Sequence, residues 1–456
     1  MALRMLERQL SDIWRLQSFG GELLTDGGDR VAIIYPGRIN DNKGGDFCDA
    51  VIAFPDRTVM GDVELHMRSA DWRGHRHDRD PGYNNVVLHV VYANNSNSPT
   101  TLENGCHVPV LALEGHVVEA EGAGHLGWPT SRRLCFNAIE RLGESARMGA
   151  IEVAGEERLA RRMASYLREL ETVEPGQVLY QGIMTVLGYS RNKAPFLELA
   201  RRLPLASLEG LSWAGDEYEC FRRKVEACLL CAAGFGPLRR DDNERSGFGL
   251  QRMWTTTAPP LKWQALRARP SNSPSMRIKA MSYLVTRYRR WGLLPGLLRA
   301  VEDAPRERGH NFVERALMVP GEGCTCGSAL LGRERAADMA VNVVLPFAVA
   351  FGRAHQDARL SDKALSLYRG WPRLATNCVE RHMLDQIGLR RTEVNSAVRQ
   401  QGLIEIYSKL CTHGKCVLCS LGEAKTRDDV KVQAGPAAPD VAEVACGGYH
   451  SGVVRA

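Results

Sequence analysis

PGRINDNKGGDFCDAVIAF (residues 36–54), TVMGDVELHM (58–67) and HRHDRDPGYNNVVLHVVY (75–92) decide how this chain reads. AVIAF (50–54) and TVMGDVELHM are separated only by Pro55-Asp56-Arg57, so they read as two strands of a hairpin. In the second strand Asp62, Glu64 and His66 alternate with Val63, Leu65 and Met67. Successive strand residues point to opposite faces, which puts the three polar groups on one face. VVLHVVY (86–92) is almost continuously apolar, as a central strand buried on both faces must be. Upstream, Leu6, Leu10, Ile13, Trp14 and Gln17 recur at helical spacing across residues 3–17. VAIIYPG, from Val31, reads as a short strand, and HVPVLAL (107–113) as one more. Together these predict a compact α/β domain over residues 1–125.

Its chemistry follows from spacing. Asp46 opens the first hairpin strand, and Glu64 lies near the end of the second. A hairpin brings such ends together, so two carboxylates can share a hard divalent cation, Mg2+ or Mn2+, through oxygen ligands. His66, on the same face as Glu64, is placed to align or deprotonate a water. That set suits metal-assisted hydrolysis of a phosphodiester, against the alternative of a polar, solvated strand face. His75, His77 and Asp80 form an H-x-H-x-x-D loop that suits a metal, a phosphate or plain solvent. His89, inside its apolar run, reads first as a core histidine bonded to a neighbour and second as a site residue.

The rest of the chain is different in kind. From about Cys135 apolar residues recur at helical spacing with Glu and Arg between them, giving a mostly helical region over 126–405. Helices are expected on both sides of a turn near Gly188, from about Met276, and at 282–301, 333–352 and 393–410. Arg158, Arg161 and Arg162 cluster on one of these. Arg277, Lys279, Arg287, Arg289 and Arg290 cluster on another, interleaved with Tyr283, Tyr288 and Trp291, a pattern that can hold phosphates and stack bases or simply form a solvated face. After residue 424 the composition is that of a loosely ordered tail.

Near the end, Cys411, Cys416 and Cys419 are spaced C-x4-C-x2-C across 406–423. Three thiolates so close suit Zn2+ or an iron–sulfur cluster, with His413, Cys378, His382 and Cys446 as candidate fourth ligands. The Cys228/Cys231 and Cys324/Cys326 pairs read more simply as packing thiols.

The chain has 456 residues, 44% apolar and 25% charged, the balance of an ordinary globular protein. A net charge of +6 permits an anionic partner such as nucleic acid. Its 13 cysteines lack the rhythm of a secreted scaffold, its first residues lack an apolar signal core, and MAVNVVLPFAVAF (339–351) is short for a membrane span. The expectation is a cytoplasmic protein without membrane association.

Asp46 followed by Glu64-Leu65-His66 resembles the PD-(D/E)XK nuclease superfamily. The resemblance implies a restriction-endonuclease-like domain in an α+β chain, with Asp46, Glu64 and the Leu65 carbonyl as magnesium ligands. His66 would stand where that superfamily has a lysine, a departure that leaves open a catalytically inactive nucleic-acid-binding protein. Some of those exonucleases also carry an iron–sulfur staple made partly from C-terminal cysteines. The H-x-H loop is similar to the zinc-binding loop of metallo-β-lactamase-type hydrolases, although no histidine follows Asp80. Finally, PGRIN, GGDF, GDVELH, YNNVVLHVVY, LGYSRNKAPFLELARRLP, RPSNSPSMR, NVVLP and QGLIEIY, in this order, resemble a bacterial family known only as a domain of unknown function, DUF2851.

Overall fold

The computed structural model describes residues 7–41, 43–117, 135, 142–189, 191–211, 218–235, 259–264, 273–321 and 329–422. Two compact units divide the chain: Met1–Gly155 with Thr376–Val394 and Gln401–Ala456, and Glu156–Ala375 with Asn395–Gln400. The expected boundary at 125 and the expected tail from 424 lie outside the described residues.

In the first unit, helix α1 (Glu7–Leu16) buries Leu10, Ile13 and Trp14, the apolar stripe its periodicity dictates. It stops at Gln17, whose φ of 52° leaves the helical region. Trp14 donates its indole N–H to the Pro36 carbonyl at 3.0 Å, the packing role expected of it. The sheet follows: β1 (Ala32–Tyr35), β2 (Arg38–Ile39), β3 (Phe47–Ala53), β4 (Thr58–Arg68), then helix α2 (Asp71–Gly74) and β5 (Val86–Ala93). β3 and β4 are the antiparallel hairpin read from Pro55-Asp56-Arg57, closing at Ala53 opposite Thr58. The strand order is β1-β3-β4-β5 and then β8 (Val110–Ala112), with β2 pairing on β3. β5 runs parallel to β4 and to the last strand, so it lies inside the sheet, as its apolar run requires.

HVPVLAL is not one strand. Pro109 has no N–H for a ladder, and the segment breaks there into β7 (His107–Val108) and β8 (Val110–Ala112). β7 pairs with β6 (Thr100–Thr101) in a separate two-stranded ribbon, and β8 joins the main sheet. Leu10, Ile13 and Trp14 pack with Phe47, Leu65, Leu88 and Val90 as one core. Tyr35 and Val51 belong to a second core with Met148, Ile151, Leu403 and Ile406.

The named elements of the second unit are helices, joined by loops and by two isolated bridges, Val319 to Leu331 and Pro372 to Ser396. Helix α3 (Glu144–Leu170) leads to α4 (Pro175–Leu187), α5 (Lys193–Arg202), α6 (Leu205–Glu209), α7 (Tyr218–Ala232), α8 (Pro274–Arg287), α9 (Leu293–Glu302) and α10 (Gly309–Leu317). Then come α11 (Arg333–Met339), α12 (Leu345–Ala354), α13 (Ala358–Arg369), α14 (Cys378–Ile387) and α15 (Ala397–Lys409); α14, the start of α3 up to Gly155 and α15 from Gln401 onward belong to the first unit. The mixed α+β class, sheet first and helices after, is therefore as expected. The single helix expected at 282–301 is two helices, because Gly292 turns the chain at a φ of 88° before Pro295.

α11 and α12 are joined by a π-helical turn, Ala340–Val344. Pro346 has no N–H to give the Asn342 carbonyl one turn back, and the Arg162 guanidinium donates to that carbonyl instead. Taken together, Arg333–Ala354 is a helix long and apolar enough to cross a membrane, longer than the apolar run alone suggested, and 78% of its most apolar window is buried inside the protein.

Candidate active site

The site is built where β3 enters the sheet beside β4. Asn40 fixes the incoming loop: its side chain donates to the Gly45 carbonyl at 2.8 Å, and its backbone N–H to the Asp46 carbonyl at 2.8 Å. The glycine pair ahead of Asp46 is required by crowding. At Gly44 φ is 109°, and a Cβ there would meet the Gly82 carbonyl oxygen at 2.9 Å. A bulge in β3, with Asp49 at a φ of 61°, resets the register so that Phe47 lies opposite Val63. Asp46 and Glu64 then brace each other. The Asp46 N–H donates to Glu64 Oε2 at 3.1 Å, and the Leu65 N–H donates to Asp46 Oδ2 at 3.0 Å.

Four imidazoles complete the site. His66 Nδ1 lies 2.9 Å from His89 Nε2, and His89 Nδ1 lies 3.0 Å from the Thr100 hydroxyl. On the other side of its ring, His66 Nε2 lies 3.0 Å from His75 Nδ1 and 3.7 Å from Glu64 Oε1. His77 Nε2 lies 3.1 Å from the same Glu64 oxygen, is buried and has no hydrogen-bond partner. Among the described residues, His66, His75 and His77 are the one group of three or more such side chains whose ligand atoms all fall within 4.8 Å of one another.

The connection between β4 and β5 delivers two of these rings. Arg76, at a φ of 63°, separates His75 and His77. A left-handed non-glycine residue costs on the order of 1 kcal/mol and persists only when its surroundings hold it. Trp72, 1% exposed, supplies that support: it packs edge-on to His66 and His77 and donates its N–H to the Thr101 carbonyl at 3.0 Å. Tyr83 lies over His77 with ring centroids 3.8 Å apart. His75 alone of the four imidazoles is exposed, so the cluster opens to solvent at that ring.

Burial dominates the electrostatics. It lowers His66 to about 4 and His89 to about 3, with the neighbouring imidazoles adding to both shifts. Both rings are therefore neutral near pH 7; both nitrogens of His89 are taken up by His66 and Thr100, while His66 turns its Nε2 toward His75 and Glu64. Asp46 is pushed up to about 7 by desolvation and then by the charge of Glu64, although its residue as a whole is exposed. Burial, Glu64 and Asp46 raise the Tyr83 hydroxyl to about 12, so it remains a proton donor.

Of the residues singled out from the sequence, Asp46, Glu64, His66, His75, His77 and His89 come together. Glu64 is only 5% exposed, so the solvated-face alternative for it is wrong. Asp62 does not join them. A register shift between Asp62 and Val63 turns it toward Asn85. Asp80 caps the short turn Pro81–Tyr83 by accepting from the Gly82 N–H at 2.9 Å, so the third position of the H-x-H-x-x-D loop is structural. Leu65 contributes its N–H to Asp46, as above. Trp72, Tyr83 and Thr100 were not read as site residues. Tyr83 sits in one of the quoted strings and Trp72 between two of them, yet nothing in their spacing marks them.

The other candidates lie elsewhere. Arg277, 5% exposed, donates to the Leu330 carbonyl at 2.9 Å and lies over the Tyr189 ring. Arg287 holds the Ala316 and Met318 carbonyls, both at 2.7 Å, at the end of α10. Arg289 lies over Tyr218, Lys279 is half-buried and Arg290 is exposed. The two most committed of these five thus serve the fold. Cys411 and Cys416 each begin a short 3-10 turn after α15, and Cys419 ends the second. Of the candidate fourth ligands, His382 bonds the Tyr35 hydroxyl at 2.5 Å, His413 bonds Thr412 at 3.0 Å, and Cys378 faces Arg38 and Cys48. Cys446, Cys324 and Cys326 lie outside the described residues.

Searches of curated proteins and of solved structures returned no match. Residues 7–303, most of the chain, match the family described as Protein of unknown function (DUF2851), and the chain belongs to that family.

Proposed function

We propose that the chain is a hydrolase that uses one divalent transition metal, held by His66, His75, His77 and Glu64, to cleave a phosphodiester. One observation carries the reading: the ligand nitrogens of His66, His75 and His77 fall within 4.8 Å of one another, Glu64 Oε1 stands 3.1 Å from His77 Nε2 and 3.7 Å from His66 Nε2, and the buried His77 Nε2 has no hydrogen-bond partner. Four ligands at ~2.0–2.1 Å from a tetrahedral ion stand roughly 3.3–3.4 Å apart. The separations of 3.0, 3.1 and 3.7 Å bracket that value. Nitrogen-rich donors suit zinc, iron, nickel or copper better than magnesium or manganese.

When bound, such an ion supplies Lewis-acid polarisation and an acidified water. The chain's own residues do the rest. Thr100 orients His89, and His89 orients His66, so the His66 Nε2 lone pair points into the cluster. Asp46, beside Glu64 and shifted toward neutrality, takes the water's proton or returns it to the leaving group. Tyr83 offers a hydroxyl proton to developing negative charge. His75 lines the side open to substrate.

A second reading rests on the Asp46–Glu64 brace, which resembles the acidic pair of PD-(D/E)XK nucleases. Mg2+ or Mn2+ would then sit on Asp46, Glu64 and the Leu65 carbonyl, with nucleic acid as substrate or, without turnover, as partner. Metal analysis and hydrolysis of bis(p-nitrophenyl) phosphate and DNA separate the two. Under the first reading the full chain holds zinc, iron, nickel or copper at this site, and His77→Ala loses that metal and the activity together. Magnesium-dependent DNA cleavage that survives His77→Ala but not Asp46→Ala replaces it with the second.

A further inference from the structure

We propose that Cys135, Cys411, Cys416 and Cys419 are the four thiolate ligands of a second metal centre. Cys135 was not among the candidate partners of the C-terminal three, because it lies far from them in sequence. The fold brings it back: Cys135 and Cys411, 5% and 6% exposed, share one buried cluster, with Cys419, Leu410 and Leu421 packed into it. Cys135, Cys419 and Cys416 all lie close enough to Cys411 to act on it electrostatically. None of Cys135, Cys411, Cys416 and Cys419 is in a disulfide.

Backbone geometry gathers the three late cysteines. The Gly414 N–H donates to the Cys411 carbonyl, the Cys419 N–H to the Cys416 carbonyl and the Gly422 N–H to the Cys419 carbonyl. Gly414, at a φ of 63°, lies so close to Ile34 and Val51 that a Cβ would meet Ile34 at 2.9 Å. A Cβ at Gly422 would meet the Cys416 carbonyl oxygen at 2.5 Å. Both turns are thus drawn tight, and the first is seated on β1 and β3.

All-sulfur donors select zinc or an iron–sulfur cluster. Sulfurs around a tetrahedral zinc stand roughly 3.8 Å apart. Among the described residues no three of these thiols fall within 4.8 Å of one another. The wider spacing suits a cluster of several irons. Such a centre ties Cys135 to the C-terminal turns, and it is independent of the hydrolase reading.

The full chain is purified without oxygen and analysed for iron, acid-labile sulfide and zinc, as wild type and as Cys135→Ser, Cys416→Ser, Cys228→Ser and Glu64→Ala. The expected result is iron with acid-labile sulfide in wild type and Cys228→Ser, the same full sulfide content in Glu64→Ala, and loss of the sulfide in Cys135→Ser and Cys416→Ser. Stoichiometric zinc, lost with the same two variants, keeps the ligand set and overturns the cluster. Full metal content in Cys135→Ser, or none in wild type after reconstitution with iron and sulfide, overturns the centre. Alkylation of the wild type guards against a misfolded variant: the four thiols should be protected together and released together by a chelator. Cys135 reacting while the other three stay protected also overturns it.

Discussion

The two units bury polar groups differently. In the second they meet the backbone or a single opposite charge: Gln400 accepts from the Leu374 N–H at 2.6 Å and donates to its carbonyl at 3.1 Å, Arg277 donates to the Leu330 carbonyl, and Glu314 pairs with Arg333. Such groups are spread through an apolar helical core that includes Tyr180, Phe221 and Phe347. In the first, four imidazoles and two carboxyls face one another, and His77 Nε2 faces Glu64 without a hydrogen bond. A side chain that completes a carbonyl's bonding stabilises a fold. Ionisable side chains gathered round a common point cost desolvation, and are stable only where something else holds them.

Substitutions can break or sharpen that contrast. The largest expected effect is on turnover: Asp46→Asn keeps an acceptor for the Leu65 N–H but cannot carry a proton. It should lower kcat ~100- to 10,000-fold with metal content unchanged. An unaltered rate removes Asp46 as the proton carrier. Next is packing. Trp72→Ala and Phe347→Ala each empty a fully buried aromatic site, and urea titration should find each about 3–5 kcal/mol less stable. Only Trp72→Ala should also weaken metal binding, since it alone supports a metal-site ring; equal metal affinity in the two variants would erase the distinction.

Gln400→Leu leaves the Leu374 amide and carbonyl without partners and should cost about 1–3 kcal/mol, with no change in metal content. Thr100→Val frees the His89 ring that orients His66, and competitive chelation should show metal affinity reduced about tenfold at constant stability.

The smallest expected effect is an absence of change. His66 and His89 have folded pKa values below the unfolded one, so their neutral rings contribute stability that is complete above about 6.5. That stability is lost as pH falls through about 4 and about 3. Asp46 and Asp62, raised to about 7 and about 6, work in the opposite direction over much of the same window. The overall acid curve therefore mixes the two, and a site-resolved imidazole titration is the proper readout. Both rings should stay neutral from pH 7 to pH 5 in the metal-free protein. Protonation of either near its ordinary value would mean that the burial argument is wrong.

Local chemistry explains what could be read directly from the residues. Alternation placed Glu64 and His66 on one face of β4, the Pro55-Asp56-Arg57 turn fixed the hairpin, and the apolar run around His89 marked an interior strand. These properties depend on neighbours within a few residues, where strand geometry is the same in any protein. The same logic misplaced Asp62 and joined β7 to β8, because a register shift and the missing N–H of Pro109 are settled by the partner strand.

Periodicity called the helices but not the arginines. Arg162, Arg277 and Arg287 each lie in a basic cluster, and each is held by a carbonyl from a distant turn. Likewise the C-x4-C-x2-C spacing announced three thiols, whereas Cys135 arrives only through folding. Residue types and short spacings thus named the ingredients: two carboxyls, four imidazoles, three late cysteines. Which nitrogen meets which oxygen, and which ring is left unbonded, were decided by the bulge at Asp49, the left-handed Arg76 and the packing of Trp72. Those are balances between segments far apart in the chain, and no local pattern encodes them.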